Sequence, residues 1–159
     1  MKFLNDIHEY SINPIFFKFF TYNVFKTKAQ TRAYLKKKIK LSKKNINQYW
    51  AIVLKKNKKC IGTISAIKLS KEDSIELGFG LNPNFWGKGY FSLSLKILEN
   101  FLFRKIRVKR LYAKTTKKNR ISIRALQRNG FKIEAIMKSY YKIGSTYIDG
   151  VLLVKIRKN

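Results

Sequence analysis

Two residue types that build most metal and redox sites are nearly missing from this chain of 159 residues, in which Cys60 is the only cysteine and His8 the only histidine. A Cys/His zinc site and a disulfide framework are thereby excluded, and a Ser-His-Asp triad would have to rest on His8 alone. Acidic residues are scarce as well, 8 against 36 lysines and arginines, for a formal net charge of +28. That balance repels cationic partners and attracts nucleic acid, anionic surfaces and phosphorylated ligands. It also leaves few carboxylates from which a general base can be drawn. The apolar stretch near the N-terminus, Ile15-Phe16-Phe17 and Phe19-Phe20, is interrupted by Lys18 and has no small-residue cleavage site after it. It falls far short of the roughly 20 residues of a membrane span. The chain reads as a soluble cytoplasmic protein with no membrane partner. With two prolines, no Gly/Ser-rich linker and no internal repeat, residues 1–159 read as a single domain.

Against these absences, 45% of the residues are hydrophobic and 14% aromatic, enough to bury a core and to exclude disorder despite the charge. The basic side chains are spread evenly, 17 in residues 1–80 and 19 in residues 81–159. A nucleic-acid footprint is more often clustered. Lys, Ile, Asn, Phe and Tyr, all with A/T-rich codons, make up 80 of the residues, so the lysine excess reads mostly as a solvated surface. A basic nucleic-acid-binding module stays open as the alternative, not the favoured one.

Residues 27–41 open with Thr27 three before Gln30, a capping-box spacing, and carry Thr31, Tyr34, Leu35 and Ile39 at helical intervals. Trp50–Leu54 and Ile61–Ile67 are β-prone runs around a lysine-rich turn, a hairpin in which Cys60 is an inert strand-edge residue. Strict alternation from Ile75 to Leu81 puts Ile75, Leu77, Phe79 and Leu81 on one face and Glu76, Gly78 and Gly80 on the other. Two glycines inside a strand point to a bulge or to a face that a ligand's chain approaches. Phe91–Phe103 reads as a helix with Leu93, Ile97, Leu98 and Phe101 inward. Leu111, Ala113 and Thr115 alternate as a strand, and Asn119 caps a helix that Gly130 stops. Phe131–Ile143 and Tyr147–Ile156 form a closing antiparallel hairpin turning at Gly144-Ser145, the second run alternating Ile148, Leu152, Val154 and Ile156. The order is α/β, with mixed, mostly antiparallel strands in one central sheet flanked by helices.

Between the Ile75 strand and the following helix lies Trp86-Gly87-Lys88-Gly89-Tyr90. A glycine loop feeding a helix N-terminus offers unpaired N–H groups and the positive end of the helix dipole, which together bind phosphate. It matches neither a Walker A sequence nor a dinucleotide fingerprint. Downstream stands Asn119-x-x-Ser122-x-x-x-Leu126-x-x-x-Gly130-Phe131. The two motifs, in this order and spacing, resemble the acetyl-CoA-binding core of the GNAT superfamily of N-acetyltransferases, and look most like its RimJ/RimL-like ribosomal-protein branch. The resemblance runs from about Ile75 to Ile156 and includes the closing Tyr147-x-Asp149.

The resemblance implies acetyl-CoA as co-substrate, no metal, and a primary amine as acceptor: a protein N-terminus or a small molecule such as an amino sugar. It places the backbone amides of Gly87, Lys88, Gly89, Tyr90 and Phe91 on the pyrophosphate of CoA, pairs Phe79 to Leu81 with the pantetheine arm, and sets Asn119 on the arm's other side. Glu76, the one carboxylate on the glycine-bearing face, is the candidate base; an α-amine with pKa near about 8 needs little help from it. Where many members have a tyrosine to protonate the thiolate this chain has Leu126, so Ser122 takes that role first, with Tyr140 or Tyr141 as the alternatives. Phe91 stands where the family has a small residue, and only Met1 to Leu4 precede the first helical segment, so the sheet is expected to start one strand short. These departures leave an inactive CoA-binding protein as a further alternative. Monomer and homodimer are both compatible with the sequence.

Overall fold

The computed structural model describes residues 1–20, 24–44, 47–67 and 73–157. Three helices come first: α1 (Leu4–Ser11), α2 (Pro14–Phe17) and α3 (Lys28–Lys43). Pro14 opens α2 at a position where a missing N–H costs nothing, and Asn13 caps it by accepting the Ile15 N–H at 2.9 Å. The Thr27/Gln30 capping box forms as the spacing predicts, with bonds of 3.3 and 3.2 Å. His8 Nδ1 meets Thr31 Oγ1 at 2.9 Å, and since Thr31 is fully buried, the single histidine serves to clamp α1 to α3.

The chain enters its sheet at β1 (Asn47–Val53), and among the described residues no strand precedes it. β2 (Cys60–Ile67) and β3 (Ser74–Leu81) follow, then α4 (Tyr90–Asn100), β4 (Arg110–Thr116), α5 (Arg120–Arg128), β5 (Lys132–Ile143) and β6 (Thr146–Ile156). The six strands lie in the order β1-β2-β3-β4-β6-β5. Every neighbouring pair is antiparallel except β3 and β4. That one parallel pairing is short, running only from Ser74↔Arg110 to Glu76↔Tyr112. Beyond Glu76, β3 keeps its ladder with β2 as far as Leu81 but has no partner on its β4 side. The two strands splay, leaving a gap in the middle of the sheet lined by unpaired backbone groups.

The core joins Ile64, Ile75, Leu77, Leu111 and Leu153 of the sheet to Leu95, Leu98 and Leu126 of α4 and α5. Leu95, Leu111, Leu126 and Leu153 are fully shielded, each stabilising the fold by about 1.5–3 kcal/mol on hydrophobic burial. Two expected stripes are corrected here. On α4 only Leu98 of the expected set is inside; Leu93 and Ile97 are exposed at 61% and 64%, and Leu95 and Leu102 are buried instead. Apolar residues fall in two arcs of the helix, Phe91, Leu95 and Leu98 in one and Leu93 and Ile97 in the other, so periodicity alone cannot choose its inner face, and it runs on into a π-helical turn over Phe101–Lys105. On β6 the residues packed in this core are Val151 and Leu153, not the alternating set from Ile148 to Ile156. β6 lies between β4 and β5 and is apolar on both faces, which erases the alternation.

A smaller cluster joins Ile7, Tyr10 and Cys60, with Phe16 packed against it. Cys60 is completely buried, its N–H donating to Asp6 Oδ2 at 2.8 Å, and burial pushes its thiol up to about 11. It is inert as expected, but as an interior residue of a central strand.

Candidate active site

The gap between β3 and β4 opens into a cavity of about 610 Å³. At one end is the glycine loop. Trp86 Nε1 donates to the Leu81 carbonyl at 2.7 Å, folding the loop back on the end of β3, while buried Asn82 accepts the Asn84 N–H at 3.0 Å. Gly87 and Gly89 take φ of 73° and 78°, a region that side chains strain to adopt, and nothing lies within 4 Å of the Cβ either would carry. Gly89 is the N-cap of α4 and, having no side chain, leaves the amides of the first turn uncovered. The loop is therefore open, left-handed at two glycines, and aimed along a helix dipole.

Of the expected site residues, Glu76, Phe79, Leu81, Gly87, Gly89, Tyr90, Phe91, Asn119, Ser122 and Tyr141 all line this cavity. Lys88 does not; its ammonium sits 5.5 Å from the centre of the Phe85 ring, so only its backbone faces the loop's task. Phe91 packs against the core with its ring 4.6 Å from that of Phe79, which removes the expected crowding of the loop. The glycine face of β3 borders the cavity at Glu76, Gly78 and Gly80, and protein atoms also close on both glycines. A Cβ on Gly78 would lie 2.6 Å from Ser65 Oγ, and one on Gly80 2.8 Å from the Phe16 ring. These glycines admit protein neighbours as well as bordering the cavity.

Glu76 is not a free carboxylate. Lys114 Nζ stands 3.1 Å from its Oε2 and also donates to the Tyr140 hydroxyl at 3.3 Å. Burial pulls the Lys114 ammonium down, but the bonds to Glu76 and Tyr140 outweigh it and leave its pKa above the ordinary value. Across the cavity Asn119 caps α5, its Oδ1 accepting the Ser122 N–H at 3.2 Å. Its Nδ2 donates to Ser122 Oγ at 3.0 Å and to Thr115 Oγ1 at 3.1 Å. With its oxygen already accepting, the Ser122 hydroxyl keeps its proton to donate. Burial raises the Tyr141 phenol to about 12, so it stays protonated and can donate but not act as a base.

Sequence reasoning missed three charged residues of the wall: Lys114, Arg124 and Arg128. The arginines stand one turn apart on α5, a spacing that was readable once Asn119 was taken as the cap. Lys114 was hidden among 28 lysines. It also missed Phe16, Phe19 and Phe20, which form an aromatic wall.

A strand gap beside a phosphate-ready helix N-terminus, with one carboxylate and two hydroxyl donors along it, is the geometry of an acyl-CoA-dependent transferase. The family model described as "Acetyltransferase (GNAT) domain" matches residues 4–132, and the chain belongs to that family. It is similar to "Uncharacterized N-acetyltransferase p20" of Bacillus licheniformis, 27% identical over 142 residues that span 89% of this chain and 80% of that one. Its fold is that of a GNAT-family acetyltransferase from Bacillus anthracis, with TM-score 0.87 and 22% identity over 98% of this chain and 89% of the other. It is shared too by RimL, a ribosomal L7/L12 α-N-protein acetyltransferase solved with coenzyme A, with TM-score 0.83 and 19% identity over 98% and 89% of the two chains. The protein is an acetyl-CoA-dependent N-acetyltransferase with a single mixed sheet.

Proposed function

We propose that the acceptor is the α-amine of a protein N-terminus, in the manner of the RimJ/RimL-like branch. The observation that carries this reading is the ion pair of Glu76 with Lys114 at 3.1 Å, because among the described residues Glu76 is the only carboxylate lining the cavity. A polyamine needs unpaired carboxylates to replace its solvation, and the described residues of this cavity offer it none. An α-amine is neutral in large part near pH 8 and asks little of a base.

In this reading the amides of Gly87 to Phe91 hold the pyrophosphate of acetyl-CoA, and the unpaired edge of β3 from Phe79 to Leu81 pairs with the pantetheine arm. Asn119 keeps Ser122 turned toward the sulfur. The amine nitrogen attacks the thioester carbonyl, the C–N bond forms and the C–S bond breaks. Glu76 takes the amine's proton through water. That proton ends on the departing thiolate, to which Ser122 and Tyr141 donate hydrogen bonds while charge develops.

An acceptor panel tests this: peptides with free N-termini, spermine, and an amino sugar, each with acetyl-CoA and read by mass. The expected result is peptide acetylation at the α-amine. Faster transfer to spermine or to the amino sugar overturns the peptide reading.

A further inference from the structure

Asp149, in the closing Tyr147-x-Asp149 segment, has no part in the chemistry above, yet it sits where the last two strands fall out of step. Met137 pairs with Gly150 and Tyr141 with Ile148, so Lys138, Ser139 and Tyr140 all stand opposite Asp149 alone. Such a bulge has unpaired amides and re-aims the side chains that follow it. Ser139 at its centre takes φ of 50°, which a serine does not adopt without support.

Asp149 supplies that support. Its Oδ1 accepts the Ser139 N–H at 3.1 Å, and its Oδ2 lies 3.3 Å from Lys138 Nζ and 3.8 Å from Lys117 Nζ. Its own carbonyl accepts the Lys117 N–H at 2.8 Å, tying the same residue to the segment between β4 and Asn119. Gly150 completes the seat, since a Cβ there would come within 2.6 Å of Met137 Cε and 3.2 Å of Tyr141 Cε2. The bulge leads into Tyr141, which lines the cavity, and carries Tyr140, which does not line it but whose hydroxyl takes the bond from Lys114 that continues to Glu76.

We infer that Asp149 is a positioning residue, which holds the β5 bulge through the Ser139 N–H and thereby sets Tyr141 in the cavity. The inference rests on the proposed acetyl transfer for its catalytic half only. Its structural half is a property of the protein alone.

The test uses the whole chain. Hydrogen exchange on Asp149→Ala reads the bulge with no acceptor present, and the expected result is faster exchange over residues 138–141 with α4 and α5 unchanged. Unchanged exchange at 138–141 overturns the inference. With the acceptor found by the panel, Asp149→Ala is expected to lower kcat at least tenfold while the KM for acetyl-CoA moves less than twofold. Asp149→Asn, which keeps an oxygen for the Ser139 N–H, is expected to recover most of that loss. In a Tyr141→Phe background the same Ala substitution should cost less than threefold further. A loss confined to KM, no recovery by Asn, or fully multiplicative losses with Tyr141→Phe overturns the positioning role. Should Asp149→Ala not fold, Asp149→Glu keeps the charge but displaces the oxygen, and the same kcat loss is expected. If the wild type acetylates no amine, the transfer reading fails while the exchange result still decides the bulge.

Discussion

Lys114 Nζ lies 3.1 Å from Glu76 Oε2, an ion pair set between β3 and β4 where their pairing ends. Both side chains are mostly shielded, at 23% and 18% exposure, so the pair is screened less than a surface contact. It fixes the carboxylate at the cavity wall.

Because an α-amine asks little of a base, Glu76→Gln is expected to lower kcat/KM by about tenfold at pH 7, below the 100- to 10,000-fold that a general base often supplies. The deficit should shrink toward pH 9 as an α-amine loses its own proton. A pH–rate profile of wild type and variant checks this; a deficit constant from pH 7 to 9 rejects Glu76 as the base.

Gly89→Glu should abolish CoA binding. The residue caps α4 with φ of 78° and open space at its Cβ position, so a glutamate there would meet no neighbour but would strain the backbone and put a carboxylate at the proposed phosphate site. Acetyl-CoA at about 100 times its Kd should stabilise the wild type by roughly 2.7 kcal/mol, a Tm rise of about 5–10 °C for a domain of this size. Thermal unfolding at moderate salt is expected to show that rise in wild type and none in the variant. Equal rises would mean that the ligand binds the basic surface elsewhere.

The contrast between what was readable and what was not follows from where the signals live. The Thr27/Gln30 box, the Asn119 cap and the Gly130 stop are local, carried by a few adjacent residues, and each forms as spaced. The glycine loop was legible for the same reason. The ion pair of Glu76 and Lys114 joins strands 38 positions apart in sequence, and nothing local marks which lysine answers a given glutamate. Gly78 and Gly80 do line the cavity, but a glycine reports missing bulk without naming its neighbours, and Ser65 and Phe16, which also close on them, were not legible. The inner face of α4 was misread because Leu93 and Ile97 form one apolar arc and Leu95 and Leu98 another, and only the second is buried.

Asn119 has two tasks that mutation can separate. Its Oδ1 caps α5, and its Nδ2 holds Ser122 Oγ at 3.0 Å. Asn119→Asp keeps an oxygen for the cap but replaces the donor toward Ser122, so its stability should stay near wild type while kcat falls. Asn119→Ala loses both and should cost about 1 kcal/mol in addition. Ser122→Ala should lower kcat about tenfold and leave the KM for acetyl-CoA within twofold. Urea unfolding and steady-state kinetics read the two effects, and an Asp variant as active as wild type would remove Ser122's orientation from the mechanism.

Two carboxylates set the response of this basic protein to acid. Arg110 grips Glu134 with two bonds of 2.7 and 2.6 Å, reaching across β6, and the first effect holding the Glu134 carboxyl below its ordinary range is that contact. Asp149 is held low first by the Ser139 N–H and then by Lys138. A carboxyl whose folded pKa is depressed contributes stability that is complete above its unfolded value, about 4, and lost as pH falls through the folded one. Between those values the unfolded chain binds more protons, so stability rises with pH there. Urea midpoints should be level from pH 7 to about 5 and fall below about 4, while Glu134→Gln with Asp149→Asn should start lower and fall less steeply. Because the groups are partly exposed, 0.5 M salt should flatten the wild-type slope as well. An acid slope identical in the double variant would place the sensitive carboxyls elsewhere, with Glu99, buried against Lys155 at 2.7 Å, the next to replace.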